Sequence, residues 1–90
     1  MVKTAEKRVY KTKNDLPEAT RIKVIDILNN RLADAFDLYS QAKQAHWNVK
    51  GPNFIALHEL FDEVASSAAE WVDLIAERAV QLGGVAEGTA

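Results

Sequence analysis

The sequence predicts an all-α fold, two long helices folded back on each other as an antiparallel hairpin. Three observations carry that prediction. Apolar residues recur at intervals of three and four over two stretches of about thirty residues each. A short break, Lys50-Gly51-Pro52-Asn53, separates the stretches. The chain has only four Gly and two Pro in 90 residues, and none of them falls inside either stretch.

Residues 1–14 come before the helices and lack a sustained apolar period. Lys3, Lys7, Arg8, Lys11 and Lys13 stand there against Glu6, a net +4, whereas the remainder carries six basic and twelve acidic residues, a net −6. A basic arm therefore precedes an acidic body. The segment reads as a mobile arm. A plain solvated tail fits the same composition.

The first helix opens at Asn14-Asp15-Leu16-Pro17-Glu18. Asn or Asp suits the cap, Pro is tolerated in the first turn, and Glu suits the positive helix end. The apolar stripe then runs Ile25, Leu28, Leu32, Phe36, Tyr39, Ala42, His46, Val49. The helix should end near Val49, at roughly 48 Å of length. Gly51 fits the left-handed position after a helix, Pro52 cannot continue it, and Asn53 can cap the next. The second stripe is Phe54, Leu57, Phe61, Val64, Ala68, Val72, Ile75, Ala79, Leu82, ended by Gly83-Gly84. Equal helices joined by so short a loop fold back antiparallel. The domain reading is thus an arm over 1–14 and a hairpin over 15–90.

Val24, Ile27, Leu38, Ile55, Trp71 and Leu74 lie off both stripes. Two helices cannot cover that much apolar surface, so the hairpin calls for further helices. The chain reads as cut after residues 85–90, where no closing element follows. Ninety residues allow one small domain at most. The chain has no Cys, which excludes disulfides and thiolate ligands and is compatible with a reducing cytosol. No apolar run approaches the roughly 20 residues of a membrane span, and no secretory signal is evident.

Five potential metal ligands stand out: His46, His58, Asp62, Asp73 and Glu77. His58 to Asp62 and Asp73 to Glu77 are each one helical turn. Asp62 to Asp73 is eleven residues, which returns to nearly the same face (about 20° off) but about 16 Å further along. The hairpin brings His46 level with His58. One end then holds His46, His58 and Asp62, the other Asp73 and Glu77. A twofold-related, antiparallel second copy would set its Asp73 and Glu77 opposite the first copy's three ligands, and an isologous contact makes two such sites at once. Imidazole and carboxylate ligands together suit iron, manganese or zinc. The bland alternative is that the acidic residues are solvated and the histidines structural.

Other motifs carry less. His58-Glu59-Leu60-Phe61-Asp62 resembles the zinc protease helix H-E-x-x-H, but Asp replaces its last His. The Glu-x-x-His motif of di-iron bundle centres is absent. No Gly-rich phosphate loop occurs.

Three segments resemble the Dps family, the DNA-binding mini-ferritins of starved bacterial cells. They are Lys43-Gln44-Ala45-His46-Trp47-Asn48, the run from Gly51 to Asp62, and the run from Ala76 to Gly84. The similarity extends over about residues 12 to 90, and the spacing H-x11-H-x3-D-x10-D-x3-E matches the family's ferroxidase ligands at all five positions. The resemblance implies that this hairpin is half of a ferritin-like four-helix bundle. It implies a hollow dodecameric shell of identical subunits. It also implies a ferroxidase-type oxidoreductase that oxidises Fe²⁺, often with hydrogen peroxide, stores the ferric product and protects DNA. His46, His58 and Asp62 would come from one subunit, Asp73 and Glu77 from its partner, with iron as the metal and zinc as a substitute. Trp47 corresponds to a tryptophan beside the iron, and packing is its other role. The basic residues of the arm resemble the tail by which some members hold DNA phosphates, a sequence-independent contact. A cytoplasmic, nucleoid-associated location and no membrane partner follow from the same resemblance. The alternative function is a non-catalytic DNA-compacting or self-association module with a degenerate metal site.

Overall fold

The computed structural model describes residues 9–88. Among the described residues two helices make up the fold, α1 over Glu18–Asn48 and α2 over Phe54–Gln81. They lie side by side as an antiparallel hairpin measuring 54 × 26 × 13 Å. The smallest dimension is about one helix diameter, so the hairpin is a single layer. Among the described residues no helix is long and apolar enough to cross a membrane.

The cap of α1 differs from the expectation. Pro17 occupies the N-cap, and no side chain caps the helix. Asn14 turns its side chain inward instead, accepting from the Leu16 amide at 2.9 Å in a local Asx turn. Asn53 does occupy the N-cap of α2, again without a side-chain hydrogen bond. The glycines act as expected. Gly51 has φ +110°, open to glycine and strained for other residues, and its carbonyl accepts from the Phe54 amide at 3.1 Å. Gly83, at φ +91°, closes α2 in a Schellman motif: Gly84 donates to the Ala79 carbonyl at 3.0 Å and Gly83 to that of Val80 at 2.9 Å.

The buried seam is narrower and smaller than the stripes suggest. Its fully buried members are Ile25, Leu32, Ala35 and Ala42 on α1, with Ala65, Ala68, Ala79 and Leu82 from α2 and its end. On α1 these positions, joined by half-buried Leu28, Tyr39, His46 and Val49, alternate strictly by three and four. On α2 the same alternation runs through His58, Phe61, Ala65, Ala68, Val72, Ile75, Ala79 and Leu82. This is the a/d pattern of helices packed knobs-into-holes. Four positions of the apolar stripes are corrected. Phe54 is 39% exposed and lies outside the seam, and His58 takes the place of Leu57. Ala35 takes the seam in place of Phe36, which is 41% exposed. Ala65 takes it in place of Val64.

The pole opposite the bend is laced by polar contacts. Arg21 Nη1 donates to the carbonyls of Tyr10 at 3.2 Å and Leu82 at 2.9 Å. The Tyr10 amide donates to Gly83 O at 2.6 Å, and Thr12 Oγ1 donates to Gln81 O at 3.3 Å. Tyr10 and Thr12, within the segment expected to be a mobile arm, are therefore tied to the end of α2. Beyond Gly84 the chain turns back along α1, where Asn29 exchanges hydrogen bonds with Val85 O and the Glu87 amide. Of the basic arm residues, Lys11 and Lys13 are exposed, while Lys3, Lys7 and Arg8 lie outside the described residues.

Both flanks of the layer carry uncovered apolar side chains. Ile27 and Leu38 on α1 and Ile55, Leu60, Trp71 and Leu74 on α2 are exposed. On the α2 circumference Leu60, Trp71 and Leu74 fall to one side of the seam, and Asp62, Asp73 and Glu77 to the other.

Candidate metal centre at the bend

His46 closes the last turn of α1, and His58 sits in the second turn of α2. Both occupy seam positions, so the hairpin presses them together. Their rings stack with centroids 3.7 Å apart and 22° between planes. Each Nδ1 reaches across to the other's backbone carbonyl, His46 to His58 O at 2.6 Å and His58 to His46 O at 2.9 Å. A carbonyl oxygen only accepts, so each Nδ1 must carry a proton. In the neutral rings that leaves both Nε2 atoms with a free lone pair. This tautomer, fixed by an Nδ1–H bond to a carbonyl, is the one that metal-binding histidines use when Nε2 is the ligand. The clasp has a structural role too, because His46 O is one of the carbonyls left unpaired at the end of α1. Phe54 stacks on the outer side of His58, centroids 5.1 Å apart.

Asp62 lies one turn beyond His58. Its Oδ1 accepts from Lys43 Nζ at 2.9 Å, an ion pair bridging the two helices. The hydrogen bond from Lys43, and then its charge, hold the Asp62 carboxyl below the usual carboxylate range, with a smaller pull from His46 and His58. Lys43 is raised in turn, first by the same hydrogen bond. Asp62 is therefore an oxygen donor, held ionised by Lys43, beside two imidazoles, a mixed donor set that suits iron, manganese or zinc.

The site is a half. Among the described residues, no three His, Cys, Asp or Glu side chains are grouped so that they could hold a metal ion. The imidazoles meet, but Asp62 is engaged by Lys43, and Asp73 and Glu77 stand exposed further along α2. Trp47 is 69% exposed, pointing outward beside His46. The residue that sequence reasoning passed over is Lys43. Its signal was available, since it lies three residues before His46 and so on the same side of α1.

The ferritin-like domain family matches residues 25–90. The DNA protection during starvation protein of Agrobacterium fabrum is 54% identical over 82 residues, covering 91% of this chain and 51% of that protein. A second protein so named, from Bacillus anthracis, is 44% identical over 61 residues, 68% of this chain and 42% of its own. Among solved structures, DpsC from Streptomyces coelicolor superposes with a TM-score of 0.89 at 36% identity, over 97% of this chain and 52% of that one. The Mycobacterium smegmatis Dps, in a tetragonal crystal form, gives 0.84 at 37% identity, over 88% and 48%. The chain spans about half the length of the curated relatives it matches. The single-layer hairpin with its two uncovered flanks corresponds to half of the four-helix bundle. With 66 of its 90 residues matched by the family, and with these relatives and structures alongside, the chain belongs to the ferritin-like domain family, in its Dps group.

Proposed function

We propose that this chain forms part of a ferroxidase and iron-storage protein whose iron sites lie between twofold-related copies. The observation that carries the reading is the reciprocal histidine clasp. It supplies two Nε2 donors in a fixed tautomer beside an ionised Asp62, and it lacks the further ligands a complete centre needs. Asp73 and Glu77, exposed on the same flank of α2 as Asp62, are the ligands offered to the partner copy.

Iron is the substrate here. His46, His58 and Asp62 of one copy, with Asp73 and Glu77 of the other, bind Fe²⁺, and the carboxylates favour its loss of an electron. With hydrogen peroxide as oxidant, two Fe²⁺ each give up one electron, the O–O bond breaks, and two protons complete two waters. Two-electron reduction releases no hydroxyl radical, which is how the reaction would protect DNA. The acidic body attracts cations toward the store. In the full protein the copies assemble as a dodecameric shell in the cytoplasm. Lys3, Lys7, Arg8, Lys11 and Lys13 add a sequence-independent hold on nucleoid DNA. The test is iron-stimulated peroxide consumption by the assembled protein. Asp62→Asn and Asp73→Asn should each abolish it, and activity that survives both substitutions refutes the reading.

A further inference from the structure

The Lys43–Asp62 ion pair borders the proposed iron site, and the role inferred for Lys43 rests on that site. The pair spans α1 and α2 at 2.9 Å. Lys43 is one turn before His46 and Asp62 one turn after His58. In an antiparallel hairpin the ion pair is thus the layer next to the imidazole clasp. The side chains are 28% and 48% exposed, so the ammonium is partly enclosed but keeps a way out to solvent.

We propose that Lys43 is a placeholder cation, holding the Asp62 carboxylate when no metal is bound and leaving it when a divalent ion arrives. An ammonium and a divalent ion compete for the same carboxylate oxygen, and their like charges repel at that distance. The lysine stem is long and flexible, so its head can swing into water without moving α1. The exchange has two consequences. Before loading, Lys43 fixes the direction of Asp62 and neutralises its charge, which eases the approach of a second acidic copy. During loading, an ion must outbid an ammonium for Asp62, which works against monovalent cations and in favour of divalent ones.

The test is calorimetric titration of Co²⁺, without oxidant, into the assembled protein. Wild type is compared with Lys43→Gln and Lys43→Arg, and Asp62→Asn and Asp73→Asn serve as site controls. Lys43→Gln should tighten Co²⁺ binding about two- to fivefold, the range set by a partly exposed ion pair. Lys43→Arg should weaken it, because guanidinium forks onto a carboxylate and is harder to displace. A supporting role for Lys43 would instead make Lys43→Gln the weaker binder. Unchanged or weaker binding in Lys43→Gln overturns the placeholder. If the two controls still abolish binding in that case, the iron site stands and only the role of Lys43 falls. If wild type binds no Co²⁺, or the controls bind as wild type does, the site itself is refuted along with the placeholder.

Discussion

A subunit-mixing experiment tests whether the centre is shared between copies. One batch carries Asp62→Asn and the other Asp73→Asn. α2 is continuous from Phe54 to Gln81, so eleven residues of helical rise separate the two carboxylates by about 16 Å. Two groups held that far apart on one helix cannot bind the same ion. In a twofold interface each of the two sites takes Asp62 from one copy and Asp73 from the other. Either variant alone therefore damages both sites. A mixed pair places both lesions in one site and none in the other. Random association at equal amounts makes half of the interfaces mixed, so about a quarter of all sites are intact. The two batches are dissociated, mixed and reassembled, and iron-stimulated peroxide consumption is measured. About a quarter of wild-type activity should return. Activity no higher than the mean of the two separate batches refutes a shared site.

Three further outcomes are expected from the packing and the charges. Ala65→Leu forces a large side chain into a seam position that is 1% exposed and should cost about 1–3 kcal/mol in equilibrium unfolding, with Val64→Leu costing less; the reverse order would refute the seam register. Because the Asp62 carboxyl is depressed in the folded state, its contribution to stability is complete above its ordinary value of 3.8 and disappears as pH falls through the lower folded value. Acid unfolding of Lys43→Gln should consequently depend less steeply on pH in that range, and an unchanged profile counts against the ion pair. Changing Lys3, Lys7, Arg8, Lys11 and Lys13 to Gln leaves the Tyr10 and Thr12 tethers in place; it should abolish gel shifts of DNA at low salt and flatten the salt dependence by about 0.9 for each phosphate no longer neutralised, whereas undiminished binding excludes the arm.

The hairpin was legible because its punctuation is chemical. Gly51-Pro52 and Gly83-Gly84 mark the ends that the backbone requires, and the helices between them agree with the periodic stripes to within a residue or so. The seam was less legible. A hydrophobic reading favours Phe36 over Ala35 and Val64 over Ala65, since larger side chains weigh more. Close helix packing selects the small residue instead, and it leaves the large neighbour on a flank. The meeting of His46 and His58 followed from their equal distance to the bend. Their carbonyl partners and the engagement of Asp62 by Lys43 did not, because both depend on side-chain direction across two helices, which spacing along one helix does not encode. The helix caps misled for a related reason. Asn14 satisfies a nearer amide before it can reach the helix, a local competition that short polar side chains often win.

The placing of the imidazoles in the seam gives them a packing role beside the one proposed for them in metal binding. Polar side chains at core positions are costly unless satisfied, and here each ring satisfies itself on the other's backbone. Among the described residues no buried side-chain nitrogen or oxygen lacks a hydrogen-bond partner. The clasp thus fixes the bend pole and at the same time the tautomer that leaves each Nε2 unprotonated in the neutral ring. At the proposed centre, metal binding would then need no rearrangement of the helices, only the release of Asp62 by Lys43 and the arrival of the partner's carboxylates. A ligand pair mounted on a loop would lose that advantage, because its geometry would have to be organised by the metal itself. The same logic separates the roles of the two helix ends. The bend, held by His46 and His58, carries the proposed metal centre. The opposite pole, held by Arg21, ties Tyr10 and Thr12 to the end of α2 almost a full hairpin length away, so the two proposed functions, DNA contact and iron oxidation, would be separable by mutation.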